Sequence, residues 1–259
     1  MKNTALITGA SGGIGRELAL VHARGGGDLV LVARNEEKLS ALREEVKREY
    51  GSEALMFAKD LSRPEAAEEI YRHLIEEGTE VDLLINNAGF GGFGYFHETD
   101  WDKEAQMIDL NVRSLTHLTK LFLPAMIVRG RGRVLNVAST AAFVPGPLMA
   151  VYYATKHYVL SFSEAIANEV SHTGVTVTAL CPGPTASGFQ AGAEIEESRL
   201  VKGKQLPTSK EVAEFGYKAM LKGRRVAVHG LGNRLQLFSI RFTPRRLVAA
   251  VVRRLQEKG

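Results

Sequence analysis

Apolar and polar positions follow two alternating periods along this chain. Short apolar runs of strand length fall at residues 5–8, 29–33, 54–58, 81–85, 134–137, 175–180 and 226–228. Between them lie stretches in which apolar residues recur at helical spacing: 14–23, a charged segment at 36–50, one opened by Pro64 and reaching Glu77, a long one at 104–128, and 152–170. Pro64 suits a first helical turn, and Pro124 is expected to kink the long helix near its end. Strands that alternate with helices at this spacing predict a parallel sheet covered by helices on both faces. Right-handed crossovers then bring ligands to the carboxyl ends of the strands.

No repeat, low-complexity tract or linker divides the 259 residues, so one domain spanning 1–259 is expected. Residues 90–95 are Gly-rich and aromatic and residues 182–207 are irregular; the stretch 190–210 reads as a substrate loop. The single cysteine, Cys181, excludes an internal disulfide framework and suits a reducing compartment. No leader pattern is read ahead of the first strand, and no apolar run reaches the roughly 18 residues of a membrane span. A cytoplasmic protein is expected.

Charge adds one feature. Between residues 222 and 259 ten Lys/Arg face one acid, Glu257, so this tail carries +9 in a chain of net +4 and the remainder carries −5. After Pro244, Leu247, Val248, Val251, Val252 and Leu255 recur at helical spacing. The segment 231–259 is thus a basic, amphipathic tail, expected to pack over a pocket or a partner subunit, with attachment to an anionic membrane surface as the alternative. No nucleic-acid recognition pattern accompanies the charge.

The first strand runs into Thr8-Gly9-Ala10-Ser11-Gly12-Gly13-Ile14-Gly15. Glycines between a strand and a helix let backbone N–H groups and the helix N-terminus approach a phosphate. Their spacing fits both G-x-x-x-G-x-G and G-x-x-G-x-x-G. The second strand then ends in Arg34, with no Asp or Glu to grip a ribose 2′-hydroxyl. An arginine there, helped by Ser11, suits the 2′-phosphate of NADP(H). Further on, Tyr152 and Lys156 lie four apart and share one helix face. An ammonium beside a phenol favours the phenolate and draws its pKa toward neutrality. Tyr153 is the competing phenol. Ser139, at a strand end, can hydrogen-bond a substrate carbonyl.

Taken in order, these motifs resemble the short-chain dehydrogenase/reductase family over residues 3–190. The matching pieces are residues 8–15, Asp60-Leu61, Asn86-Asn87-Ala88-Gly89, Asn111, Ser139, Tyr152/Lys156 and Pro182-Gly183. The resemblance implies a Rossmann-type, doubly wound, three-layer α/β/α fold of about seven strands. It implies NADP(H) as cofactor and a ketone (or aldehyde) and alcohol pair as substrate, with Tyr152 as general acid or base. Lys156 would lower the pKa of Tyr152 and bind the nicotinamide ribose, Ser139 would polarise the carbonyl, and Asn111 would hold a water in a proton relay. The cofactor would rest on Gly9, Ser11, Gly12, Gly13, Ile14 and Gly15. Arg34, Asp60, Leu61, Asn87, Ala88 and Gly89 would flank its adenosine half, with Pro182, Gly183 and Thr185 on the nicotinamide side. Relatives of this kind are often homo-dimers or homo-tetramers. The family's epimerase branch needs a separate substrate domain, and only about 75 residues follow Pro182.

The seven histidines show no metal-ligand spacing, and no metal is expected. Phe90, Phe93, Tyr95, Phe96, Phe143 and Phe189 are expected around the site, which suits an apolar lipid, 3-oxoacyl or steroid-like substrate. A non-catalytic NADPH-binding regulator is the rival, disfavoured by the complete Asn/Ser/Tyr/Lys set.

Overall fold

The computed structural model describes residues 3–257; Lys258, counted in the basic tail, lies outside them. Seven parallel strands form one sheet: β1 (Thr4–Thr8), β2 (Asp28–Ala33), β3 (Ala54–Ala58), β4 (Leu83–Asn86), β5 (Gly132–Val137), β6 (Val175–Cys181) and β7 (Val226–Val228). Their spatial order is β3-β2-β1-β4-β5-β6-β7. Between them run α1 (Gly13–Arg24), α2 (Glu36–Tyr50), α3 (Ala66–Glu76), α4 (Trp101–Ile108), α5 (Leu115–Val128) and α6 (Ala150–Glu169). A short α7 (Phe189–Gly192) and α8 (Ser209–Leu221) precede β7, and α9 (Leu231–Ile240) and α10 (Arg245–Gln256) end the fold.

Strand side chains alternate between two cores. Ala5, Ile7, Leu29, Leu31, Leu83 and Ile85 pack with Leu18, Leu39 and Val212 from α1, α2 and α8. Leu6, Val30, Val32 and Leu84 point the other way, onto Ile70, Leu118 and Ala167 from α3, α5 and α6. Burial on both faces explains why the strands read as unbroken apolar runs. Local chemistry fixes several helix ends. Asn35 accepts a 2.8 Å hydrogen bond from Lys38 N at the start of α2, and Gly51 closes that helix in the left-handed region at φ 64°.

The expected long helix at 104–128 is three pieces: α4, a wider π turn at Asp109–Ser114, and α5. An extra residue per turn leaves no mark on the apolar pattern. The chain stays helical through Pro124 to Val128. Helices α7, α8 and α9 are not among the expected elements. α8 nevertheless carries a readable start: Thr208 and Glu211 form a reciprocal capping box. The tail stripe also divides. Val248 is buried and Val252 and Leu255 are half-buried, whereas Leu247 and Val251 face solvent.

The strand order reverses between β1 and β4, which pair directly through Ala5–Leu83, Leu6–Leu84 and Ile7–Ile85. A parallel sheet opens a crevice outside the strand ends at such a reversal. The turns after β1, β4, β5 and β6 all end there.

Candidate active site

A cavity of about 570 Å³ occupies this crevice. At one end lies the glycine turn. Gly9 has φ +67°, and a side chain there would meet Asn87 Nδ2 at 2.7 Å. A Cβ on Gly15 would lie 2.3 Å from Gly9 O, so Gly15 lets α1 pack against the turn. At Gly12 a Cβ would meet nothing within 4 Å, because that backbone faces open space. No side chain caps α1 and no acid sits in its first turn, so its N-terminus offers uncompensated N–H groups.

The turn is braced from below by Thr8. Its hydroxyl accepts from Asn87 N (3.0 Å) and Ala88 N (2.9 Å) and donates to Ile85 O (3.4 Å). Asn87 Nδ2 donates in turn to Thr8 O at 2.9 Å. These bonds tie the end of β1 to the end of β4. Sequence reasoning quoted Thr8 only as the start of the turn and missed this role.

At the other end stand Ser139, Tyr152 and Lys156. Ser139 lies two residues past β5; its Oγ accepts from Ala141 N at 3.1 Å and donates to Pro182 O at 3.4 Å, and it stands near enough to the Tyr152 phenol to oppose the rise of its pKa. Lys156, one helical turn along α6, donates a 2.8 Å bond to Val137 O, and its Nζ lies 5.8 Å from the centroid of the Tyr152 ring. Both side chains are buried. Burial raises the phenol pKa, opposed by the Ser139 hydroxyl. Burial also lowers the Lys156 ammonium to about 8. Desolvation is the largest influence on the phenol, and Lys156 is not among the causes of its shift.

Asn111 sits in the π turn, buried. Its Nδ2 donates to Phe90 O (3.0 Å) and Thr155 Oγ1 (3.1 Å), and its Oδ1 accepts from Phe90 N (3.2 Å). Both amide donors are taken, so the side chain splints the loop after β4 to α6. A water held at this residue would rest on an acceptor atom.

Of the expected cofactor residues, Gly9, Ser11, Gly12, Gly13, Ile14, Ala88, Gly89, Pro182, Gly183 and Thr185 line the cavity together with Asn87, Tyr152 and Lys156. Gly15, Arg34, Asp60, Leu61 and Asn111 do not line it. Arg34 is exposed at the end of β2. Asp60 accepts from Ser62 N and Oγ at 2.9 and 2.8 Å. Burial would raise its pKa, but those bonds and the charges of Arg34 and Arg63 outweigh it and lower the carboxyl. Lys38, four residues after Arg34, does line the cavity and was missed; its spacing from Arg34 on the first turn of α2 was the available signal.

The lining contains Lys38 and Lys156 and no carboxylate, which together with the open turn at Gly12 fits a polyanionic nucleotide. No histidine lines it either, so Ser11, although set in a Gly-x-Ser-x-Gly run, has no imidazole base there. Among the described residues no three His, Cys, Asp or Glu side chains cluster as a metal site. Of the six expected aromatics, Phe90 and Phe189 line the cavity, with Phe189 5.2 Å from the Tyr152 ring. Phe93 and Phe96 line a neighbouring cleft, Tyr95 is exposed, and Phe143 packs among Leu115, Val159 and Leu160.

Mouse 17-beta-hydroxysteroid dehydrogenase type 3 is 36% identical over 70% of this chain. The chain spans about 60% of the length of the curated relatives it matches first. A short-chain dehydrogenase from Sphingobium yanoikuyae in complex with NADPH superposes with TM-score 0.83 at 31% identity, covering 93% of this chain and 94% of the other. One from Burkholderia phymatum in complex with NAD shares the fold at TM-score 0.81 and 24% identity, over 92% of each chain. A family model described as short chain dehydrogenase matches residues 3–198, and with it this chain belongs to the short-chain dehydrogenase family of oxidoreductases.

Proposed function

We propose that the protein is an NADPH-dependent oxidoreductase that interconverts an apolar ketone or aldehyde with its alcohol. The observation that carries this reading is the convergence of Ser139, Tyr152 and Lys156 at one end of a cavity whose other end is an anion-accepting glycine turn. When bound, the reduced nicotinamide supplies a hydride to the carbonyl carbon. Tyr152, kept protonated by burial, donates its proton to the carbonyl oxygen, and Ser139 hydrogen-bonds the same oxygen as charge develops on it. Lys156, anchored on Val137 O, lies along the path by which Tyr152 is reprotonated. The preference for NADPH is supported by Lys38 in the lining, by exposed Arg34, and by the absence of a carboxylate at the end of β2. The apolar substrate is supported by Phe90, Met149, Phe189, Ile195 and Leu200 around the reacting end. A cytosolic location and assembly into homo-dimers or homo-tetramers belong to the same reading.

The deciding experiment is a panel of ketones assayed with NADPH and NADH in parallel. Turnover of apolar ketones with NADPH is expected. Turnover confined to small polar polyols overturns the substrate class. Tight NADPH binding without turnover of any carbonyl favours the regulator.

A second reading, peripheral attachment to an anionic lipid surface, is favoured by one observation. Leu231, Leu235, Phe238 and Phe242 lie on one face of α9 and its extension, 72, 62, 58 and 77% exposed. Arg241, Arg245 and Arg246 flank them, and no acid occurs between residues 231 and 256. Apolar residues ringed by arginines match the boundary of an anionic bilayer. No helix among the described residues is long and apolar enough to cross a membrane. Co-sedimentation with phosphatidylserine vesicles is expected and should be lost in Phe238→Ser/Phe242→Ser. A dimer that the same double variant dissociates would assign the ridge to a second copy instead.

A further inference from the structure

A second cavity, of about 450 Å³, abuts the catalytic one. Its floor is the turn after β5, and its roof is α9 and α10. The two cavities share Thr140, Ala141, Tyr153, Pro184, Leu200 and Gln256 as a common wall. None of the glycine-turn residues, and neither Lys38 nor Lys156, reaches the second space, so it extends away from the nucleotide end. Beyond the common wall its apolar lining is supplied chiefly by Val144, Leu237, Ile240, Val248, Val252 and Leu255.

The common wall contains one anomalous group. Gln256, in the last turn of α10, is fully buried; its Nε2 donates to Tyr153 Oη at 2.5 Å, and its Oε1 has no partner among the described residues. Whichever way the amide is turned, one of its polar atoms is sealed in without a bond, an arrangement that proteins rarely keep. Tyr153 in turn is wedged in place. Its ring meets Tyr152 edge-on at 6.0 Å, and a Cβ on Gly146 would lie 2.0 Å from it. The Tyr153–Gln256 pair is thus a polar seam, one ring away from the reacting phenol, between the two cavities.

We propose that the second cavity is a subsite for a long apolar arm of the substrate, and that Gln256 is the specificity-determining residue at its joint with the catalytic cavity. The inference rests on the ketone-reductase reading and adds the substrate's shape: a carbonyl carrying one small group and one extended alkyl or ring system. A short ketone fills the catalytic cavity alone and leaves the seam closed. A long one parts Gln256 from Tyr153 and gains the burial of its arm under α9 and α10.

The test compares methyl ethyl ketone with methyl decyl ketone as substrates with NADPH. The long ketone is expected to have a kcat/KM at least about tenfold higher, since each buried methylene adds favourably. Val252→Trp, or Leu237→Trp from the other roof helix should the first fail to fold, fills the second cavity and is expected to lower the long-to-short ratio about tenfold or more. Gln256→Leu, which removes the seam's hydrogen bond, is expected to raise that ratio. A ratio unmoved by both tryptophans, or a Gln256→Leu ratio that falls, overturns the proposal. Calorimetric binding of methyl decyl ketone to Tyr152→Phe separates this proposal from the reaction itself. Binding that Val252→Trp abolishes, with no turnover by the native protein, would remove the reductase reading and keep the subsite. Turnover of both ketones with no effect of filling would do the reverse.

Discussion

The ammonium of Lys156 is held by the main-chain carbonyl of Val137, the last residue of β5, at 2.8 Å. A strand end, and no carboxylate, fixes the cation of the candidate active site. Its compensation is therefore incomplete, and burial lowers its pKa to about 8. Relative to an ordinary lysine, keeping this charge buried costs about 3 kcal/mol below that pH. Lys156→Met removes the charge but leaves Val137 O without its donor, at about 1 kcal/mol. The variant should be inactive yet more stable than the native protein by about 1–2 kcal/mol at neutral pH. The sign follows from a folded-state pKa below the unfolded one. The penalty is full below about 8 and fades as pH rises toward the ordinary lysine value. Denaturant melts at several pH values check this; a Met variant less stable at neutral pH would refute it.

Tyr152 and Tyr153 were both open as the reacting phenol in the sequence. The structure separates them by their partners: Tyr152 meets Ser139, whereas Tyr153 meets Gln256. Tyr152→Phe is expected to lower kcat about a hundredfold or more with NADPH affinity retained, as loss of a positioned acid does. Tyr153→Phe should lower stability by about 1 kcal/mol through the orphaned amide of Gln256 and change kcat less than about fivefold. Because burial raises the Tyr152 phenol, the proton donor persists through the neutral range. Carbonyl reduction should hold level between about pH 6 and 8, while alcohol oxidation, which needs the phenolate, should rise with pH. Steady-state kinetics of both variants and both directions provide the check.

How far the sequence exposes this site depends on whether a residue acts through a periodic pattern or through a contact across the chain. The seven strands, the glycine turn and the Tyr152/Lys156 pair follow from burial on two faces and from helical spacing, and all are local. Asn111 was marked by resemblance, but its work needs the π turn, whose one extra residue is invisible in the apolar stripe. Gln256 gave no signal, because it meets Tyr153 across 103 positions of chain, and only packing of α10 brings them together. The aromatic set illustrates the opposite failure: residues close in sequence to the site, such as Phe96 and Tyr95, were grouped with it although their strand-end loop turns them outward.

Cofactor choice should depend on Lys38 more than on Arg34. Both side chains are exposed, but Lys38 lines the cavity with the glycine turn, while Arg34 lies outside it near Asp60. A charge-assisted bond to a 2′-phosphate contributes about 1.5–3 kcal/mol. Lys38→Ala is therefore expected to lower the ratio of kcat/KM for NADPH over NADH by about tenfold or more, and Arg34→Ala by a smaller factor. Parallel kinetics with the two nucleotides decide it. Equal losses with both nucleotides would mean that Lys38 supports the fold and not the phosphate.

Thr8 offers the sharpest link between fold and site. One hydroxyl satisfies two backbone N–H groups of the turn after β4 and reaches Ile85 O, and it does so where the sheet order reverses. Valine has the same shape and equal liking for a strand, so Thr8→Val leaves packing intact and removes the bonds alone. Two N–H groups at the bottom of the crevice then lose their acceptor, which costs about 2–4 kcal/mol. Serine keeps the oxygen at the price of one methyl, about 1 kcal/mol. The expected order of stability is native, then Thr8→Ser, then Thr8→Val. NADPH affinity should follow that order, because Asn87 and Ala88 shape the cavity wall next to the glycine turn. Urea unfolding with titration of NADPH measures both quantities. A valine variant as stable as the serine one would show that the hydroxyl only fills space, and that the turns after β1 and β4 are held together by the Asn87 side chain.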